Sequence, residues 1–220
     1  MNVEKKMFYK EWENLETVFE ELEKCDICYV VLRNYEQLPE LATIEGHGDI
    51  DILTSDKDDI IKALGAKKVH DKKYRVQYQI AVGNILVYMD IRYVGDNYYD
   101  REWELQILNN RVKNLKGIYI PNDTDYAYSL LYHSLIHKPY ISDDYRTKMK
   151  VHFGENNLLK KLNEFMSEKQ YKFVEPIDLS VYYNYNIIAK KTTIKRRIYL
   201  LKCEIDYMCD RIKKIFYKGR

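Results

Sequence analysis

Between Tyr74 and Tyr93 the chain alternates apolar and polar residues on both sides of Gly83-Asn84, which leaves this segment little choice of local fold. Tyr74, Val76, Tyr78, Ile80 and Val82 share one face of the first arm, with Arg75, Gln77 and Gln79 on the other. Ile85, Val87, Met89, Ile91 and Tyr93 carry the apolar face into the second arm and leave Leu86, Tyr88, Asp90 and Arg92 opposite. A period of two belongs to strands, and Gly-Asn is a favoured two-residue hairpin turn. Closing the hairpin there sets Val82 against Ile85, and hence Gln77 against Asp90 and Arg75 against Arg92. Asp90 is therefore expected in a hydrophilic patch of a sheet whose other face is core.

A second alternating run, residues 49–53, reads Asp49-Ile50-Asp51-Ile52-Leu53 and follows Gly46-His47-Gly48. On a strand both carboxylates point to one face, where they repel unless a cation lies between them. Magnesium takes oxygen ligands of this kind, and a third carboxylate on a neighbouring strand about 4.8 Å away would complete a site for two ions. Asp90 is the candidate. The plainer reading of Asp49 and Asp51 is the solvated face of an edge strand.

Around these strands the pattern predicts an α+β chain. Trp12, Leu15, Phe19 and Leu22 recur at helical spacing within residues 11–24, and residues 27–32 form a buried strand that leaves through an irregular connection, 33–39. A helix at 57–64 is capped from Thr54-Ser55-Asp56 and stopped by Gly65. Beyond Pro121 the period becomes helical: 126–138, capped by Asp123 or Thr124, then 156–169, then a long helix at 193–216. Asp143 and Asp144 are expected to cap the segment that follows Pro139. The expected organisation is an N-terminal mixed sheet flanked by helices, residues 1–120, and a helical region, 121–220.

Composition narrows the class. With 220 residues, 46% of them hydrophobic, and only 8 Gly and 4 Pro, the chain is neither disordered nor collagen-like. No apolar run reaches the roughly 18–20 residues of a bilayer span, and the first residues lack a signal-peptide core. Cys25 and Cys28 have C-x-x-C spacing, but no second pair answers them, so a reducing, cytoplasmic setting is expected. The charge is lopsided: residues 190–220 hold 11 Lys/Arg against 3 Asp/Glu, the other 189 hold 25 against 31. The last helix carries Ile194, Ile198, Leu201, Ile205, Met208, Ile212 and Ile215 at alternating spacings of four and three. That stripe is expected to pack on protein, as an intramolecular cap or a homodimer seam; the basic residues beside it also suit the inner face of a membrane. Nucleic acid is not expected as a partner, since no recognised module accompanies the basic tail. The 22 tyrosines fit compositional bias or base and sugar stacking.

The order of a helix, a strand, a loop, strand-borne Asp49-Ile50-Asp51 and a later strand-borne Asp90 resembles the nucleotidyltransferase superfamily that includes DNA polymerase beta. The segments VLRNYEQLPE, GDIDIL and DIRYVGDNYYD also look like divergent members among bacterial surface-polysaccharide proteins. The resemblance implies a transferase in which Asp49, Asp51 and Asp90 hold two magnesium ions and a nucleotide donor, and a small molecule or glycan is the acceptor. Members place Gly-Gly or Gly-Ser after the first strand; here that position reads Leu32-Arg33-Asn34-Tyr35, so Arg33 is expected to clamp phosphate in its stead. Asn34, Gly48, Arg92, His137 and Lys138 are the remaining expected nucleotide contacts. His133 and His137 have zinc-pair spacing without the Glu of H-E-x-x-H; lining the cleft, or plain packing and capping of the helix C-terminus, are the other readings. Two further functions stay open: a catalytically silent module that binds nucleotide or scaffolds an assembly, and a toxin-like enzyme that modifies tRNA or protein.

Overall fold

The computed structural model describes residues 10–40, 49–69 and 76–188, together with helical positions 194, 197, 198, 201 and 205. Gly48, Arg75, Cys203, Cys209, Met208, Ile212 and Ile215 lie outside the described residues.

Asn14 decides where the first helix begins. Its side chain accepts from Thr17 N, so α1 runs Leu15–Lys24, not from residue 11. Glu11–Trp12, freed from the helix, forms the short strand β1. After α1 come β2 (Tyr29–Val31), β3 (Asp49–Thr54), α2 (Lys57–Leu64) and β4 (Lys67–Lys68). Asp56 caps α2 by accepting from Asp58 N and Asp59 N. Gly65 ends it at φ 60, where a Cβ would also sit 3.1 Å from the Lys10 side chain.

The hairpin then forms as the alternation requires: β5 (Gln77–Val82) and β6 (Ile85–Tyr93) pair with Val82 against Ile85 and Gln77 against Asp90. The sheet order is β1-β5-β6-β3-β2, with β4 on β5. β3 runs antiparallel to β2 and parallel to β6, β1 is parallel to β5, and the sheet is therefore mixed. The parallel pair sets Asp51 directly beside Asp90.

The rest of the described chain is α3 (Arg101–Asn109), the ribbon β7 (Val112–Lys113) and β8 (Tyr119–Ile120), then α4 (Asp123–Ile136), α5 (Asp143–Phe153), α6 (Leu158–Glu168) and the single turn α7 (Tyr185–Ile188). Helix α4 is capped by Asn122, one residue before the expected Asp123, and α5 by Ser142, with Asp143 and Asp144 in its first turn. Helix α3 carries no clear sequence period, because Glu104 sits among its buried positions Trp103, Ile107 and Leu108.

Two apolar clusters lie on opposite faces of the sheet, as strand alternation demands. Tyr29, Val31, Ile52, Val87, Met89 and Ile91 meet α1 and α2 on one face. Val30, Leu32 and Leu53 meet Tyr98, Tyr99, Trp103, Leu131, Tyr132 and Phe165 on the other. The face that carries Asp51, Asp90 and Arg92 is thus roofed by the helical half and is not an open hydrophilic surface. Residues 95–100, whose Gly95-Asp96-Asn97 sequence reads as a turn with solvated acidic side chains, are largely buried as well: Asp96, Tyr98, Tyr99 and Asp100 are all inside.

Of the C-terminal stripe, the four described positions do not pack within the chain. Ile194, Ile198, Leu201 and Ile205 are 77%, 65%, 58% and 47% exposed. Among the described residues no helix is long and apolar enough to cross a membrane. Removal of residues 192–220 should therefore shift the thermal midpoint by no more than about 2 °C, since 1 kcal/mol corresponds to about 2–4 °C in a chain of this size. A drop of about 5 °C or more in a protein that is monomeric by sedimentation would show that the helix caps the body.

Candidate functional site

Where the sheet's second face runs out of apolar residues, it encloses a cavity of about 280 Å³. Asp49 and Asp51 reach it from β3, Asp90 and Arg92 from β6, and Arg33 and Asn34 from the connection after β2. Helix α4 and the residues after it contribute His133, His137 and Lys138, and Ser180, Val181 and Tyr182 form a further wall. Every expected site residue that is described therefore lines one cavity.

Three carboxylates face three cations here, and the pairing is uneven. Arg33 Nη2 donates to Asp51 Oδ1 at 2.6 Å and to the Tyr98 hydroxyl at 2.9 Å. This pair is buried, with side-chain exposures of 5% and 11%. Arg92 is held more loosely, 3.6 Å from Asp90 and 3.7 Å from both Asp96 and Asp178, under the Tyr98 ring at 4.3 Å. Asp49 makes no hydrogen bond or ion pair with a described residue; burial, then the Asp51 charge, raises its pKa. Burial also pushes Asp90 up to about 6, with Arg92 opposing and both other carboxylates adding. Burial and then Arg33 lower the Lys138 pKa, against the pull of all three carboxylates.

Tyr98 joins the charged floor to α4. Arginine has no acceptor, so the Tyr98 oxygen accepts from Arg33, and its one proton goes to His133 Nδ1 at 2.6 Å. His133 is then the Nε2–H tautomer. Burial first, then Arg33 and Lys138, hold its pKa well below the usual histidine range, so it is neutral. With Nδ1 engaged and Nε2 protonated, His133 offers no lone pair for a zinc pair with His137. His137 packs its ring 4.3 Å from Tyr98.

Asn34 turns the chain where it leaves β2. Its φ of 58 is left-handed, a region asparagine tolerates better than most residues, so the chain turns sharply after β2 without Gly. Lys148 Nζ donates to the Asn34 side chain at 2.9 Å and fixes the turn to α5.

Among the described residues, no group of three or more His, Cys, Asp or Glu side chains is arranged as a metal cage. The three carboxylates share one cavity, with Asp51 bonded by Arg33 and Asp90 3.6 Å from Arg92. No family model, curated protein or solved structure matches the chain.

Sequence reasoning missed Tyr98, Tyr145, Asp96, Asp178 and the wall at 180–182. Nothing local marks them: each reaches the site from a connection or another helix. Glu104 was equally silent. It accepts from Gly95 N and Tyr99 N and is within hydrogen-bonding reach of Asp96. Burial and the Asp96 charge push it up to about 8, so at neutral pH it keeps a proton to give to Asp96. A carboxyl that binds its proton more tightly folded than unfolded makes stability fall as pH rises, here from about 4.5 to about 8. Urea midpoints of Glu104→Gln should show a flatter slope over that window than the parent; an unchanged slope would mean that Glu104 is already ionised at its lower end.

Proposed function

We propose that the chain is a magnesium-dependent nucleotidyltransferase, or a related transferase of a nucleotide-activated phosphoryl group, acting on a small-molecule or glycan acceptor. One observation carries this reading: Asp51 and Asp90 are register partners on parallel neighbouring strands, with Asp49 on the same face, at the floor of a cavity that also holds Arg33, Arg92 and Lys138. The glycan acceptor and a role in surface-polysaccharide biosynthesis rest on the segment resemblance alone.

The donor set fits the ion. Three carboxylates and no thiolate suit a hard cation, and the unpartnered Asp49, raised by its neighbour's charge, is a ligand in want of one. Asp49, Asp51 and Asp90 would hold magnesium, which when bound neutralises phosphate charge and acidifies an acceptor hydroxyl. The chain's own residues do the rest. Arg33, Arg92 and Lys138 bind and orient the phosphates, and the buried site strengthens each contact by excluding water. Where Asp90 is not a ligand, it takes the proton of the acceptor hydroxyl. The acceptor oxygen forms its bond to the α-phosphorus, the bond to the leaving pyrophosphate breaks, and the proton remains on Asp90.

A silent nucleotide-binding or scaffolding module is the second reading, favoured by the Arg33–Asp51 bond that already occupies one carboxylate. A nucleotide panel with magnesium separates the two. Selective thermal protection with release of pyrophosphate supports the enzyme; protection without turnover supports the module. Asp49→Asn should abolish magnesium-dependent turnover, while its thermal midpoint in EDTA stays equal or rises, since the change removes a half-buried charge that no described residue pairs. Full turnover in this variant would remove Asp49 from the ligand set.

A further inference from the structure

The lining charges of the cavity cancel: Asp49, Asp51 and Asp90 against Arg33, Arg92 and Lys138. A cation entering alone adds positive charge to a site already neutralised, and an anion entering alone does the opposite. In a buried site neither excess is well tolerated. The two therefore enter best together, provided one internal pair can open. The Arg33–Asp51 pair is the one placed to do so. Asp51 Oδ1 is an oxygen that a cation would need, and Arg33 covers it with the same Nη2 that it lends to Tyr98. Arg33 lines the cavity itself, so its guanidinium needs only a new acceptor within reach, and phosphate oxygens are its strongest.

We propose that Arg33 is a shared residue that trades Asp51 for a phosphate group of the substrate, which makes divalent cation and phosphate bind cooperatively. This rests on the magnesium-dependent reading above. Before the exchange Arg33 competes with the cation for Asp51; after it, Arg33 holds the anion and Asp51 is released to the cation. Tyr98 and His133 are positioning residues in this scheme. The Tyr98 oxygen, its own proton committed to His133 Nδ1, keeps a lone pair aimed at Arg33 and so tethers the guanidinium through the exchange. By linkage, phosphate must raise cation affinity by the same factor that the cation raises phosphate affinity.

The test is equilibrium binding of Mn²⁺, which takes the same oxygen ligands, followed by electron paramagnetic resonance with and without inorganic phosphate. Four full-length proteins are compared: the parent, Arg33→Met, Tyr98→Phe and Asp51→Asn. The parent should bind Mn²⁺ weakly alone and at least about fivefold more tightly with phosphate, a coupling in the usual allosteric range. Arg33→Met should bind Mn²⁺ alone about tenfold more tightly than the parent and show no phosphate effect. Tyr98→Phe removes one of the two bonds on Nη2 and should fall between them, which keeps the test open if Arg33→Met does not fold. Equal Mn²⁺ affinity in the parent, Arg33→Met and Tyr98→Phe, lost in Asp51→Asn, would overturn the exchange and leave the metal site standing. No Mn²⁺ binding by any of the four, with or without phosphate, would overturn the metal reading and the exchange with it.

Discussion

The Arg33–Asp51 bond is the contact around which the molecule is arranged. A guanidinium and a carboxylate removed from water are tolerable only as a pair with their remaining valences met, and every nearby element contributes to meeting them. β3 supplies the carboxylate, the turn at Asn34 delivers the arginine, and Tyr98 takes the second proton of Nη2. Tyr98 is placed in turn by Asp96, which accepts from its backbone N–H at 2.8 Å. Asp96 stays beside Glu104 because that carboxyl is protonated. The chain of dependence runs from one ion pair through four elements, and the apolar roof exists where it does because this island had to be covered.

What the sequence disclosed divides along a physical line. Within a strand or hairpin, alternation fixes which residues share a face, so the pairing of Gln77 with Asp90 and the common face of Asp49, Asp51, Asp90 and Arg92 were readable directly. What covers that face is decided by residues far along the chain, and no local period encodes it. The acidic turn at 95–100 therefore reads as solvent-loving although it is buried. The helix around Glu104 reads as nothing at all, because a buried protonated carboxyl breaks the apolar pattern. The terminal stripe shows the same limit: a heptad spacing announces an apolar surface, never its partner.

The tyrosines have a structural use that their number alone could not reveal. Tyr98, Tyr99, Tyr132 and Tyr183 are fully buried beside Trp103, and Tyr99, Trp103 and Tyr132 meet one another at tilted or edge geometries with centroids 4.9–5.7 Å apart. Such rings combine a large apolar area with a polar tip, which suits a roof that must be oily toward Leu32 and Leu53 yet donate to groups at its rim. Phenylalanine would cover the cavity as well but could not have joined Arg33 to His133.

Asp100 has a consequence for how the two halves of the chain relate. One of its oxygens caps α3 by accepting from Glu102 N, and the other accepts from Lys172 N, where the chain returns after α6. A single carboxylate is thus both the start of α3 and the fastening for the chain that leaves α6. The apolar cluster of α4, α5 and α6 also takes in Val30, Leu32 and Leu53 from the sheet side and Trp103 of α3. Sheet and roof thus share one apolar cluster across the junction near Pro121.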